Sequence, residues 1–480
     1  MNNSVFWIIF AHIGYFCVNG IYNNGVENVY YWKNVLFENL PLFDDTVIGK
    51  YPYHIPENND INGMQYHTQS GLMITTLARI RPGIPSTLNA FCVPDYDKGT
   101  SPYLWGFPDY EKNTLKASFY DESYYNSRKV STENLNYSAG YRKHFFSHIG
   151  QNEMYSNARK TKYPYNYFND FSIISTYFPC VDNQCNRLFA LDTGVLRYDT
   201  PYIVQNPALI VFNLPSNGCR SRNFPLIRRV EIPGHLWKES SGFRFITLDY
   251  QPKGSCDDLF VYISNIVDSS IVVYDYKRDD FWVFSDSTMK PINAEASFTF
   301  KDITYVLPIG IVNLALGWPD KHGNRNAYYA PGSTLAEYVV STKLLKDSKR
   351  SPSNYDPEEF TLIGYRGCDS NTYKQVFDLS TGVIFFGEMD SNKIRCWNTR
   401  MPLNPDTIGV VYESDESAFF GGLSIDSDEY LWFLTNQLPA LSNTAHFLDL
   451  TEVNSRIFRV KVYDAIKGTV CDNSNIFYKI

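Results

Sequence analysis

The chain has 480 residues, of which 16% are aromatic, and a formal net charge of −8 at pH 7. This length can bury a large core, and the 33 Phe, 37 Tyr and 8 Trp residues exclude a disordered scaffold. The acidic balance, together with the lack of a phosphate-binding glycine motif in the sequence, argues against nucleic-acid binding.

Residues 1–20 are predicted to be a signal peptide. The apolar run at 5–18 is too short to span a bilayer comfortably, and small residues surround Gly20. We therefore expect cleavage near Ile21, with 21–480 forming a single domain. Because no Lys or Arg precedes the run, a buried first strand is the alternative. Since no later segment of the sequence reaches membrane length, we expect secretion without a membrane anchor.

Short strand patterns recur along most of the chain. The clearest is 256–284, where two apolar strands and a third run, FWVF, follow one another with only short polar turns between them. Comparable runs lie at 187–194, 208–214, 327–342, 374–398, 430–438 and 455–462. They fall roughly 45–70 residues apart, which is typical of one four-stranded propeller blade with variable loops. The periodicity predicts an all-β chain, a β-propeller of roughly five to seven blades.

These strand motifs resemble the yellow and major royal jelly protein family of insects. Near the N-terminus the resemblance rests on VYYWKN (29–34), GKYPYHIPENN (49–59) and RPGIPSTLN (81–89). The later motifs follow in the family's order: RLFALDTG, YISN with VVYDY, RNAYYAPGS, TGVIFF, CWNT and LWFLTN. The resemblance implies a secreted six-bladed β-propeller.

The cysteines fit an oxidising compartment. Beyond Cys17 an even set remains, which allows 105 pairings. The resemblance implies two of them, Cys185 with Cys256 and Cys396 with Cys471. It leaves four cysteines unassigned: Cys92, Cys180, Cys219 and Cys368. Zinc binding is the competing use, but the spacing of Cys180 and Cys185 is wider than usual and a second paired motif is missing, so no metal site is expected.

Residues 115–179 depart from the family as an inserted segment. This segment is rich in Tyr, Asn, Ser, Lys and Arg with almost no aliphatic periodicity, so we expect a long Tyr-rich surface loop. It contains a glycosylation sequon at Asn136. Exposed tyrosines can be oxidised and coupled to dityrosine, and the candidates are Tyr124, Tyr125, Tyr163, Tyr165 and Tyr167. A divergent connector or a docking surface for an acidic partner are the alternatives.

The sequence offers few catalytic patterns. It has neither a Gly-x-Ser-x-Gly elbow nor a His-Glu-x-x-His helix, and its catalytic residues stay unknown. His144 and His148 have the spacing of a helical ligand pair but lie inside the irregular segment. Acidic residues at strand ends, such as Asp192 and Asp275, are expected to bond turn backbones.

One branch of the family binds serotonin and related amines in the central channel. In that branch a Thr, an Asn and a Phe of the last blade contact the amine, and the matching positions here are Gly421, Asn436 and Leu438. The hydroxyl and the ring are missing, each worth about 0.5–1.5 kcal/mol, so we expect weak amine binding. Other side chains could line a pocket or belong to the blade core: Phe419, Phe420, Trp397, Asn398 and Trp432.

The sequence therefore predicts a secreted protein of an insect extracellular matrix, acting in the hardening or pigmentation of eggshell or cuticle. Matrix proteins would be its partners, and no cofactor, nucleic acid or membrane is expected. The alternative is a protein that uses the central channel to bind a small aromatic amine or catechol, or to convert dopachrome as an isomerase. Expression in ovary or epidermis would favour the matrix role, and expression in salivary gland would favour ligand binding.

Overall fold

The computed structural model of the chain describes residues 25–41, 53–115, 171–197, 201–414, 416, 419–442 and 446–472. Six four-stranded antiparallel sheets contain most of the strands. The first strands of successive sheets contact one another around a ring, so each sheet is a blade and its first strand lies innermost. The six-bladed β-propeller predicted from the sequence is confirmed.

Blades 1 to 3 occupy the first part of the ring. Blade 1 contains β2 (Gly63–His67), β3 (Leu72–Thr76), β4 (Leu88–Cys92) and β5 (Trp105–Gly106). Blade 2 contains β6 (Cys180–Asp182), β7 (Arg187–Asp192), β10 (Ala208–Asn213) and β11 (Leu226–Glu231). Blade 3 contains β12 (Phe243–Tyr250), β13 (Leu259–Asn265), β14 (Ser270–Asp275) and β15 (Asp280–Phe284).

Blades 4 to 6 complete the ring. Blade 4 contains β18 (Ala315–Leu316), β19 (Asn326–Tyr329), β20 (Ala336–Ser341) and β21 (Thr361–Tyr365). Blade 5 contains β22 (Thr372–Phe377), β23 (Val383–Glu388), β24 (Lys393–Asn398) and β25 (Ile408–Glu413). Blade 6 contains β26 (Phe419–Ile425), β27 (Tyr430–Asn436), β28 (Ser455–Lys461) and, as its outer strand, β1 (Glu27–Trp32).

Short elements connect the blades. Two hairpins are formed by β8 (Val195–Arg197) with β9 (Pro201–Ile203) and by β16 (Ser297–Phe300) with β17 (Ile303–Val306). The described α-helices are one turn long or little more: α1 (Tyr110–Asn113), α2 (Thr342–Leu345), α3 (Leu438–Ser442) and α4 (Val462–Ile466). Single 3-10 turns lie at Pro56–Asn58, Val93–Asp95, Gly234–Leu236, Ser287–Met289, Asn293–Glu295, Ser348–Arg350, Pro357–Glu359 and Pro405–Thr407.

The central strands of the blades are buried on both faces. In blade 3, every residue of β14 is buried because neighbouring blades cover both sides of the sheet. The sharp turn after β14 is held by Asp275, whose carboxylate accepts hydrogen bonds from the backbone N–H groups of Lys277 and Arg278 at 3.1 and 2.9 Å. Asp275, one of the aspartates at strand ends, therefore has the structural role that was predicted.

The ring is closed by pairing its two ends. β1 pairs antiparallel with β28, so the N-terminal strand completes the blade formed by the C-terminal strands. Behind this seam, Asp60 is buried between blades 1 and 6. Its carboxylate accepts hydrogen bonds from Ser455 Oγ at 2.7 Å and from the backbone N–H of Gln437 at 2.9 Å. A buried carboxyl thus joins the first blade to the last.

Disulfides tie loops of neighbouring elements together. Cys185–Cys256 and Cys396–Cys471, the two pairs that the family resemblance implies, are present with Cα–Cα distances of 5.9 and 6.2 Å. Cys92 and Cys219, unassigned from the sequence, form a further bond. Cys368 is also disulfide-bonded, and Cys180 is a free thiol.

The predicted surface loop, 115–179, includes residues that the structure places in the core. Residues at both of those ends are core, since Leu115 and Phe171 to Phe178 are buried. Arg79 holds the two ends together, because its guanidinium donates to the carbonyl oxygens of Asn113, Ile173 and Ile174. Tyr177, counted as part of the surface loop, is 4% exposed.

Several predicted sites lie outside the described residues. These are the signal peptide, the sequon at Asn136, His144 and His148, and the cross-linking candidates Tyr124, Tyr125, Tyr163, Tyr165 and Tyr167. None of the helices in the described ranges combines the length and apolar character needed to cross a lipid bilayer.

Candidate functional site

The central channel opens at the end where the innermost strands begin, which we call the top face. The opposite end is the bottom face. Strands β6, β12, β22 and β26 all start at the top face, and the chain segment before β6 reaches it as well. Side chains from these starts pack into one hydrophobic cluster.

Four aromatic rings from four blades fill the channel mouth. We call Phe178, Phe245, Tyr373 and Phe419 the channel plug. Phe178 and Phe245 stack with centroids 4.5 Å apart, and Tyr373 lies edge-on to Phe245 at 5.4 Å. Phe419 follows at 4.9 Å from Tyr373. Offset and edge contacts of this kind each contribute about 0.5–1.5 kcal/mol beyond burial. The four rings are 1–5% exposed, so the plug is a packed aromatic cluster.

Two cationic side chains lie against the plug. The guanidinium of Arg244 covers the ring of Tyr177 at 3.8 Å and donates to the Phe243 carbonyl at 2.8 Å. The ammonium nitrogen of Lys374 lies 5.6 Å from the centre of the Phe178 ring. Blades 2 and 5 stand opposite each other in a six-bladed ring, so this contact spans the channel axis. Burial lowers the pKa of Lys374 to about 8.

Cys180 faces Lys374 from blade 2. Burial raises the pKa of its thiol to about 12, and the nearby lysine charge only partly opposes this. The thiol therefore stays protonated at neutral pH and is a poor nucleophile.

Asn436 and Gly421, both predicted ligand contacts, are used for packing between blades 6 and 1. The side chain of Asn436 donates to the Ile61 carbonyl at 3.0 Å and accepts from the Leu438 N–H at 3.1 Å. A Cβ at Gly421 would collide with Asn436 Nδ2 and would lie 2.6 Å from the carbonyl oxygen of Asn62. The amide is used to hold blade 6 against blade 1, and the glycine makes room for it.

The other predicted contacts are dispersed. Phe420 points away from the plug into the core between blades 5 and 6, near Tyr412 and Phe433. Asn398 ends β24 at the bottom face, where it donates to the Cys471 carbonyl at 3.3 Å. Of the five residues predicted to bind a ligand, Leu438 is the one that packs against the plug cluster.

Most residues at the channel mouth were not predicted from the sequence as site residues. Lys374 and Arg244 are charged residues near the starts of the innermost strands TYKQVF and FRFITL. A charge at such a position was the sequence feature that could have indicated the site. Phe419 was considered as a lining residue and belongs to the plug. Trp432, considered with it, is core and donates to Asp426 at 2.7 Å.

A separate surface depression of about 520 Å³ is lined by Cys92, Pro94, Asp95, Arg220 and Arg222. Its arginines already have partners, since Arg220 pairs with Asp95 at 2.8 Å and Arg222 with Glu38 at 2.6 Å. We therefore place the candidate site at the channel mouth. No group of three or more His, Cys, Asp or Glu side chains arranged to bind a metal occurs within the described ranges.

Comparison with known proteins decides the family. The family model described as major royal jelly protein matches residues 174–471, well over half of the chain. The chain belongs to the major royal jelly protein family. The family resemblance drawn from the strand motifs is thereby confirmed.

Curated relatives of the chain include yellow-related salivary proteins of Phlebotomus. Yellow-related salivary protein ASP2 of Phlebotomus orientalis is 29% identical over 459 residues, covering 95% of this chain and 96% of its own. Yellow-related salivary protein ASP4 of the same species is 36% identical over 304 residues, covering 62% of this chain and 74% of its own. Among solved structures, a luciferin-regenerating enzyme is 10% identical with a TM-score of 0.39, covering 87% of this chain and 95% of its own.

Proposed function

We propose that this protein is a secreted family member that binds a small aromatic molecule at the top end of its central channel. The proposal rests on the channel plug, in which aromatic rings from four blades pack together. Lys374 and Arg244 lie beside these rings. Aromatic walls with a few placed polar groups are typical of small-molecule sites. The relatives named as salivary proteins support secretion.

The binding test uses calorimetry with the intact protein and a panel of indoles and catechols. We expect at least one ligand to bind, and Phe178→Leu to weaken it about 2- to 10-fold because one ring contact is lost. Tyr463→Ala is the matched control, since that ring is 63% exposed on the bottom face. If no member of the panel binds, or if Phe178→Leu binds as well as the unaltered protein, the channel mouth is not the site.

Conversion of dopachrome is a variant of this proposal. It requires a base, and Lys374 is favoured because its lowered pKa makes proton transfer feasible near neutral pH. Turnover that exceeds the spontaneous rate and disappears in Lys374→Met would establish catalysis. If dopachrome decays at the same rate with and without the protein, binding remains without catalysis.

A matrix role is the second candidate, favoured by the tyrosine-rich composition between 116 and 170. Treatment with peroxidase and hydrogen peroxide should then give fluorescent covalent oligomers. The comparison protein replaces 117–169 by a short Gly-Ser linker, which should fold because the Ile173 N–H donates to the Lys112 carbonyl at 2.7 Å. Equal cross-linking of the two proteins would remove this role.

A further inference from the structure

Lys374 differs from the other buried cations of the described residues. Those others have a carboxylate or carbonyl partners: Arg187 pairs with Asp182, Arg366 with Glu337 and Lys393 with Glu413, while Arg79 and Arg81 donate to backbone carbonyls. Arg244 donates to one carbonyl and lies beside the Tyr373 hydroxyl. Lys374 makes no hydrogen bond or ion pair with a described residue, although it is only 8% exposed.

Within the described residues, no carboxylate pairs with Lys374. The Cys180 thiol is the one titratable neighbour that acts on Lys374, and it is protonated. The groups that act on Tyr373 are Arg244 and Tyr177, again without a carboxylate. An ammonium group on a side chain that is more than nine-tenths buried, without a carboxylate partner, favours an anion beside it. It repels a cation for the same reason.

We propose that the channel mouth binds an aromatic molecule carrying a carboxylate, rather than an aromatic amine. This inference rests on the proposed function and specifies its ligand class. The ammonium of Lys374 binds the carboxylate, and the ligand ring joins the stack formed by Phe178 and Phe245. A plug ring must rotate to admit it.

The test uses three ligands with the same indole ring and two-carbon chain: indole-3-propionate, its uncharged amide, and tryptamine. Calorimetry at pH 7 with the intact protein should give the order acid, amide, amine, with the acid at least about 30-fold tighter than the amine. Lys374→Met should weaken the acid at least about 30-fold and leave the amide nearly unchanged. Lys374→Arg should retain most of the affinity for the acid, because the charge is kept.

Two controls separate a direct contact of Lys374 with the ligand from long-range attraction and from loss of folding. Lys321→Met removes a charge from an exposed bottom-face loop and should not alter binding, so long-range attraction is excluded. Lys374→Met should be at least as stable as the unaltered protein, because a buried unpaired charge is replaced by an apolar side chain of similar length. A strongly destabilised Lys374→Met would show that the ammonium already has a partner and would overturn the proposal.

The two proposals fail differently. If none of the three ligands binds, the proposed function fails. If tryptamine or the amide binds as tightly as the acid, aromatic binding stands and the anion inference is wrong.

Discussion

Replacing Asp60 by Asn tests whether a buried carboxyl at the ring closure makes stability depend on pH. Burial raises the pKa of Asp60 from the ordinary 3.8 to about 7, against the hydrogen bonds from Ser455 and Gln437. The folded protein therefore keeps this proton up to about pH 7, whereas the unfolded chain releases it near pH 4. Unfolding releases a proton across that window, so the free energy of unfolding falls as pH rises.

The size of the effect follows from the change in pKa. Each pH unit is worth about 1.4 kcal/mol, so the Asp60 contribution amounts to about 4 kcal/mol between pH 4 and pH 8. Asn cannot ionise, and it keeps both contacts if its oxygen accepts from Gln437 and its amide donates to Ser455 Oγ. Relative to the unaltered protein, Asp60→Asn should be similar in stability near pH 4 and clearly more stable at pH 8.

The assay is urea unfolding followed by tryptophan fluorescence at several pH values between 4 and 8.5, with disulfides intact. Other buried carboxyls titrate in the same range, since the pKa values of Glu388 and Asp390 are raised to about 8 and about 7. The informative quantity is therefore the difference between the two proteins. Glu239→Gln, an exposed site, is the control. If this difference stays constant with pH, Asp60 is ionised in the folded protein and the reasoning is refuted.

Three further variants probe the fold. Gly421→Thr should lower the free energy of unfolding by about 1–3 kcal/mol because a Cβ collides with Asn436, and should not create amine binding; a stable variant that binds serotonin would contradict this. Removing the Cys396–Cys471 bond with a double Ser variant should cost about 2–4 kcal/mol in urea unfolding, and unchanged stability would show that the bond does not constrain the unfolded chain. Arg79→Lys should cost at least about 2 kcal/mol, since lysine cannot supply the donors that reach Ile173, Ile174 and Asn113, whereas the exposed Arg278→Lys should cost little.

The sequence by itself determined the strands of the blades, because each strand and turn depends on residues that are adjacent in the chain. In β13 and β14 the apolar runs are continuous and the turn after them is set by Asp275, so strand, turn and strand follow from adjacent residues. The ordered motifs then gave the family, and with it six blades and two disulfides. The third described disulfide, Cys92–Cys219, joins residues 127 positions apart and had no such motif.

Tertiary structure decided the candidate site. Phe178, Phe245, Tyr373 and Phe419 are far apart in the chain and meet only because four blades start at one end of one channel. Whether a polar side chain is available for a ligand likewise depends on its neighbours: Asn436 is occupied by Ile61 and Leu438, while Lys374 has no acidic partner. Local sequence patterns determine the strands. Burial and charge pairing depend on contacts between blades, and those contacts form only when the ring closes.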